Sequence, residues 1–355
     1  MLKKYLFSIL LVIAGVISVF AYNPPMYGED MYNFVSPEAL SFGNSVTGGA
    51  IQSVAVEDIA VNPALVAGEQ RFTLKLSGSL LFQSNEAALA SGFEKQKGGA
   101  AQLGMLFPSR IGVADADFQF VSMTQGALNF GNSFMIRGAF AKDLIDDLYV
   151  GMGLYGSFGD NWSVGADLGL WCNLHTIKWL PFMSDCRWAC AVTGLGKAYN
   201  PNVRGLYGEN SSGFPSPFTI RMGFAGNLMN FKNFKTGLSL DLSFPYVQNV
   251  VFNCALDFLI FNVVSLKTGW EFNMRETIQT QKVIIPSASL SCKFNFTTSK
   301  KDDSIFVKQG WSKSEMDISG GYRYIDGNIH AASAGVTIRA GQKDNEKPVI
   351  ILWGE

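Results

Sequence analysis

Charge is scarce in this chain of 355 residues: Asp, Glu, Lys and Arg together make up 16% of it. So low a content is unusual for a soluble protein, yet beyond the first 21 residues no stretch stays apolar for the roughly 18 residues that a membrane-spanning helix requires. Histidine is scarcer still. His175 and His330 are the only two, too few for a His-rich metal site, and no metal or other cofactor is expected. No nucleophile-elbow sequence accompanies the many serines, which argues against a hydrolase. The formal net charge of −1 gives nucleic acid nothing to be drawn to. The residue directly after Ala21 is Tyr22, not a cysteine, which argues against a lipid-anchored N-terminus.

The first residues read as a signal peptide. Lys3 and Lys4 form the basic region, residues 6–20 the apolar core, and Val19-Phe20-Ala21 ends on a small residue, so cleavage is expected after Ala21. An uncleaved anchor is the alternative, disfavoured by the shortness of the apolar run. Of the five cysteines, Cys172, Cys254 and Cys292 fall on apolar faces and act there as small hydrophobes. For Cys186 and Cys190 two readings stand, a disulfide in an oxidising compartment or two separate thiols.

What the chain has in abundance is alternation. From Trp162 to His175, the residues Trp162, Val164, Ala166, Leu168, Leu170, Cys172 and Leu174 fall on one face. Ser163, Gly165, Asp167, Gly169, Asn173 and His175 fall on the other, with Trp171 the one large residue out of step. Only a strand sends successive side chains to opposite sides. The same pattern covers residues 72–82, 148–154, 234–244, 250–258 and 288–296, and more weakly 97–107, 110–122, 133–141, 187–195, 217–228, 262–272, 314–324 and 328–340. That makes about fourteen strands, an even number, each long enough for a tilted membrane crossing. Aromatic residues such as Phe72, Phe82, Trp162, Phe244, Trp270 and Tyr322 gather at strand ends, where interfacial girdles lie. The expected fold is all-β: a transmembrane antiparallel β-barrel. A secreted sandwich would alternate too, but the leader, the strand length and the charge-free apolar faces oppose it.

Tight turns are expected at Pro108-Ser109, Asp160-Asn161 and Asp326-Gly327, and longer connections at residues 84–96, 196–216, 273–285 and 298–313. The last of these falls at the opposite end of the barrel from the other three. That would be tidied by a miscounted strand near residues 175–188, where the pattern is weakest. The polar faces carry Asp115, Asp117, Asp167, Asp241, Asp257, Glu271 and Asp317 beside Lys75, Arg137, Arg221, Lys235, Lys267, Lys293, Arg323 and Arg339. Facing a lumen, these avoid the cost of about 2–4 kcal/mol for a basic residue at the lipid midplane. Either they line a polar pathway or head-group socket, or they pair into a network that fills the lumen and holds a plug.

Gly151-Met-Gly153-Leu-Tyr-Gly156 matches a dinucleotide fingerprint but lies inside an alternating strand, not at the start of a helix. Its small residues instead leave room for something to pack against the wall. Glu57-Asp58 reads as structural, not as an acid–base couple.

Residues 22–70 precede the first strand, are rich in small residues and are too long for an ordinary connection, which suggests a folded appendage. Within them Gly43, Gly48, Gly49 and Ala50 lead to Asp58 and then Asn62-Pro63-Ala64-Leu65. By local chemistry alone Asn-Pro marks a corner. A Gly/Ala-rich run, an acidic residue and Asn-Pro-Ala-Leu before the first long strand also resemble the long-chain fatty acid transporter (FadL-like) family of outer-membrane proteins. Gly165-Ala166-Asp167-Leu168-Gly169-Leu170 is similar to its uncharacterised spirochaetal and secretion-associated branches. The resemblance implies a fourteen-stranded barrel with an N-terminal hatch at 22–70, and passive diffusion of hydrophobic molecules, fatty acids first, released laterally into outer-membrane lipid. Asn62, Pro63 and Ala64 would shape the hatch-to-barrel corner without touching cargo.

The organisation is therefore a signal peptide at 1–21, a hatch at 22–70, a barrel at 71–341 and a tail at 342–355. The tail departs from barrels that finish on an aromatic residue in their last strand. With Val349, Ile350, Ile351, Leu352 and Trp353 it fits an extra strand, a periplasmic packing segment or a strand that binds a periplasmic or secretion partner. A general porin and a non-transporting scaffold are the competing functions.

Overall fold

The computed structural model describes residues 22–25, 34–42, 45–51, 54–84, 95–175, 177, 180–215, 218–280, 284–297, 313–325 and 328–341. The expected signal peptide, Gly43, the Asp326-Gly327 turn, the tail and most of the connections at 84–96 and 298–313 lie outside the described residues.

Fourteen strands form one closed antiparallel barrel. They are β1 (Phe72–Gln83), β2 (Lys97–Ser109), β3 (Gly112–Gln125), β4 (Gly131–Ile145), β5 (Leu148–Gly159), β6 (Trp162–His175) and β7 (Ser184–Lys197). Then follow β8 (Thr219–Phe231), β9 (Phe234–Pro245), β10 (Val251–Ile260), β11 (Val264–Asn273), β12 (Ser287–Thr297), β13 (Lys313–Ile325) and β14 (Ile329–Ala340). Each pairs with its sequence neighbours, and β14 returns to β1 in a continuous register from Phe72↔Ala340 to Gln83↔Ile329. Closure leaves no unpaired sheet edge, a condition that lipid imposes on any spanning sheet.

Burial inverts the pattern of a soluble protein. On the outer face Leu76, Leu80, Met152, Leu154, Phe158 and Leu168 are all more than half exposed, whereas inward-facing Lys75 is 0% exposed. In water such a surface would cost about 25 cal/mol for each Å² of exposed hydrocarbon. Against lipid tails it costs nothing, so the outer face is a membrane-facing one.

Several details differ from the sequence-based expectation. β6 ends at His175 and β7 starts at Ser184; the two pair directly, and no strand lies between them among the described residues, so the count of fourteen stands. The first reversal is not at Pro108-Ser109 but at Arg110-Ile111, closed by the Ser109↔Gly112 pair and a 2.7 Å bond from Ser109 Oγ to Gly112 O. Pro108 is tolerated within β2 because β1 pairs with that strand only as far as Leu106. The connection after β11 contains a short helix, Met274–Thr280. Cys186 and Cys190 are free thiols four residues apart on β7. At about 3.3 Å per residue they stand too far apart for the roughly 7 Å limit of a disulfide.

β1 begins at what is termed here the proximal rim and reaches the distal rim at Gln83. The connections after the odd-numbered strands lie at the distal rim, the others at the proximal one.

Candidate functional site

The lumen is filled by the chain's own N-terminal segment. Tyr22 stacks on Tyr246 in the distal connection between β9 and β10, with ring centroids 6.1 Å apart, and Asn23 pairs with Ser212 between β7 and β8. At the other end Glu69 and Arg71 meet Glu315 and Arg339 at the proximal rim. Between these ends lie helix α1 (Pro37–Phe42) and two 3₁₀ helices, Val56–Ala60 and Pro63–Gly68.

Asn62 and Pro63 start the second 3₁₀ helix. Asn62 caps it by accepting the Ala64 N–H at 3.0 Å, and Pro63 occupies a first-turn position that needs no N–H. The Asn62 side chain also donates to Val46 O at 3.0 Å and to Leu170 O of β6 at 3.3 Å. One amide thus joins two parts of the segment to the barrel wall. Trp171 completes the contact: its indole N–H donates to Ala64 O at 2.8 Å while its ring stacks on Tyr149, centroids 4.1 Å apart. The large residue out of step in β6 is therefore the one that grips the segment.

The wall is cut away to receive it. A Cβ on Gly151 would lie 2.5 Å from Ala64 N, and one on Gly169 would collide with the Asn62 side-chain oxygen Oδ1. Space for a packed partner is thus the use of the Gly151 and Gly153 run. Asn62, Pro63 and Ala64 do not form the corner into the barrel; that corner is made by Glu69 and Arg71, whose ion pair measures 2.8 Å. Gly48 and Gly49 turn with φ of +68° and +85°, a conformation costly for a side chain bearing Cβ.

The charged residues fall into two clusters and several outlying positions. Lys75 donates to Glu38 at 2.7 Å and to Glu57 at 2.6 Å, and Glu57 also accepts from Ser36 Oγ. Asp257, opposite Lys267 in the β10–β11 register, accepts the Ala50 and Ile51 N–H groups, both at 3.2 Å. Asp241 accepts from Val46 N at 3.2 Å, and Arg187 donates to Ala50 O at 3.2 Å. The second cluster, at the proximal rim, joins Glu69, Arg71, Glu315, Lys293, Arg339 and Asp317.

Elsewhere Arg323 pairs with Glu271 at 2.9 Å, and Asp117 accepts from Gln102 at 2.8 Å and Gln119 at 2.6 Å. Asp167 accepts from Gly194 N at 2.7 Å, and Arg221 donates to Thr193 at 3.2 Å. Arg137 lies 5.8 Å from the Tyr155 ring centre, Asp115 is buried on the same inward face, and Lys235 is half-buried. Contacts of this kind join opposite signs to one another and to the segment's backbone; they do not lay out a row of one sign.

Within the segment, burial alone would raise Glu38, but Lys75 and Lys267 outweigh it and hold the carboxyl down to about 2. Burial and the adjacent Glu57 carboxylate push Asp58 up to about 7, against the pull of its bond from Ala55 N.

Toward the distal rim one side of the lumen carries an apolar cluster. Leu81, Val121, Met123, Met135, Ile325 and Ala331 point inward and pack on Phe34 and Leu40, with Leu128, Phe130, Tyr199, Val203 and Phe214 from the distal connections. Below this, among Glu38, Lys75, Lys267, Lys293 and Arg339, lies a polar cavity of about 70 Å³. A larger cavity of about 340 Å³ opens at the distal rim between Tyr207, Phe244, Val247, Met274, Arg275 and Ile278.

Three solved structures of similar fold carry channel or transporter titles. The CymD monoaromatic hydrocarbon channel superposes with a TM-score of 0.51 at 12% identity, over 88% of this chain and 98% of that one. The toluene transporter TbuX of Ralstonia pickettii gives 0.52 at 11% identity, over 87% and 98%. A TodX monoaromatic hydrocarbon channel mutant lacking S2 and S3 gives 0.50 at 10%, over 86% and 99%. At such identities the likeness is one of fold. No protein-family model matches the chain, and no curated protein matches it by sequence.

Sequence reasoning missed Trp171 as a tether, Glu38 and Glu57 as partners of Lys75, and the Arg275 cavity. A signal existed for the first alone, since a large aromatic on an otherwise small and polar face asks for something to cover it.

Proposed function

We propose that the protein is an outer-membrane channel for the passive uptake of hydrophobic compounds, with long-chain fatty acids as the leading cargo. The observation that carries this reading is the occupation of the lumen by the N-terminal segment, whose Phe34 and Leu40 pack in an apolar cluster toward the distal rim while Glu38 and Glu57 pair with Lys75 of the wall. A water-filled pore for sugars would need a continuous polar path; the apolar cluster around Phe34 and Leu40 on the distal side fits a greasy solute instead. The likeness in fold to hydrocarbon channels supports it. So does the Gly43 to Leu65 resemblance to the fatty acid transporter family, in which the chain would be a distant member. Placement in the spirochaetal branch rests on residues 165–170 alone. Residues 1–21 would direct export and be removed, and residues 342–355 would serve a periplasmic partner.

The test is uptake into proteoliposomes carrying the full mature chain. A fluorescent long-chain fatty acid and an aromatic hydrocarbon should equilibrate faster than into empty vesicles, while glucose should not. Glucose admitted with no acceleration of either hydrophobic probe makes the protein a general porin. Deleting residues 22–64 should admit glucose as well.

A further inference from the structure

On the outside of the wall, at the distal rim, a histidine is built into the aromatic girdle. His330 of β14 stacks on Phe82 of β1, ring centroids 5.3 Å apart, and meets Tyr324 of β13 edge-on at 5.6 Å. Its Nδ1 shares a 2.7 Å hydrogen bond with the Tyr322 hydroxyl. With that hydroxyl donating, the ring proton sits on Nε2 and is a donor to spare. On the other side of Phe82, Lys97 of β2 lies directly opposite it, exposed, and among the described residues no carboxylate pairs with this lysine. Lys75 and Lys293, on the inner face, both have carboxylate partners. Directly opposed residues share a face, and Phe82 is 47% exposed, so Tyr324, His330, Phe82 and Lys97 form one outward row across β13, β14, β1 and β2. The strands of Lys97 and His330 stand about 10 Å apart, so one small group above the Phe82 ring is within reach of both side chains.

Beneath this row the wall is recessed. Gly320, Ala334, Gly78 and Ala101 stand side by side across the same four strands, with Ala332 and Gly99 in the row above. Leu76, Val336 and Leu103 close the recess below. From Phe82 down to Leu76 is about 20 Å of strand, or about 15 Å of depth at a tilt of roughly 40°, which matches the hydrocarbon of one leaflet.

We infer that this face holds one anionic, phosphate-bearing lipid of the distal leaflet, its phosphate between Lys97 and His330 and an acyl chain in the recess below. Position and charge select the occupant. The outer face is the membrane-facing one, so a lipid chain fills the recess, and a cation and a donor at its head favour an anionic phosphate. A lysine that only snorkels beside a girdle meets every head group alike. Here a second donor, fixed by three aromatic neighbours, adds selection. The lipid lies outside the barrel, beyond the proposed uptake and independent of whatever solute the lumen carries.

The experiment is photo-crosslinking of the full mature chain in phosphatidylcholine nanodiscs that carry a trace of phosphatidylglycerol with a diazirine in its acyl chain, followed by peptide mapping. A phosphatidylcholine with the same diazirine chain serves as the parallel probe. The glycerol lipid should label residues 76–82 and 330–336 at least about tenfold more than the choline lipid, as a charge-assisted contact allows. Lys97→Ala combined with His330→Ala should abolish that preference. Ala334→Phe should cut the labelling while leaving both head-group partners in place. Lys197→Ala should change nothing, since Lys197 sits over Trp162 on another part of the outer wall. Excess soluble glycerol phosphate should not displace the probe. Equal labelling by the two lipids would reduce the face to an ordinary girdle. Labelling confined to other residues, a preference that survives the double variant, full labelling of Ala334→Phe, or displacement by glycerol phosphate would each overturn the lipid site as well.

Discussion

Replacing Lys75 with Met tests whether buried ion pairs hold the segment in the lumen. The Lys75 side chain is 1% exposed, and its partners Glu38 and Glu57 are 14% and 8% exposed, so solvent screens the pairs little. Both partners belong to the segment and Lys75 belongs to the wall. The substitution leaves two carboxylates facing each other with their cation gone, and removing one member of a buried pair costs about 3–5 kcal/mol. At about 1.4 kcal/mol per decade, docking of residues 36–60 weakens by about 10²–10⁴-fold. Planar-bilayer recording should show a rise in open probability, and hydrogen exchange should speed up in α1 and in the 3₁₀ helix at Val56–Ala60 while the barrel ladders stay protected. Adding Glu38→Gln and Glu57→Gln should restore most of the closed state, because it removes the charges left stranded. Unchanged conductance together with unchanged exchange in the single variant would show that the pairs hold nothing.

Three further outcomes follow from the same contacts. Gly151→Ala should push the helix at Pro63–Gly68 off the wall, since its Cβ would lie 2.5 Å from Ala64 N; a destabilisation of about 1–3 kcal/mol should appear as faster exchange of that helix's amides, and unaltered exchange would mean the wall yields there. Trp171→Phe keeps a ring for Tyr149 but removes the donor to Ala64 O; docking should lose about 1–3 kcal/mol for the stranded carbonyl, with a smaller effect from Trp171→His if its ring N–H reaches the same oxygen. Asp58, raised from 3.8 to about 7, favours the docked state most below pH 4, and that contribution is lost as pH rises through 7. Exchange of residues 55–62 should therefore quicken between pH 5 and pH 9, beyond the intrinsic pH effect, and Asp58→Asn should abolish the excess.

The strands were legible because lipid and lumen make opposite demands on successive residues, and β6 or β12 can satisfy both only by strict alternation. The same demand made fourteen countable, even through the weak stretch near His175. The plug's internal structure was not legible. α1 spans six residues and the 3₁₀ helices five and six, too short for a periodic signal, and the helix after β11 escaped for the same reason. Ion partners were beyond reach for another reason. That Lys75 meets Glu38 and Glu57, or Arg71 meets Glu315, depends on where the segment lies in the lumen and on strand register. No residue spacing encodes either. Asn62-Pro63 shows a middle case: its turn-forming chemistry was readable, but its use as a helix cap bonded to β6 was not.

The path of the segment sets a condition on assembly. Its described residues begin at the distal rim with Tyr22, reach Arg71 at the proximal rim, and continue directly into β1, which pairs with β14, the last strand among the described residues. The segment is tethered to the first strand at the proximal rim, where Glu69 meets Arg339 of the last described strand. Pairing β14 with β1 brings that arginine into place. Closing the wall therefore completes the anchor of the plug in the same event.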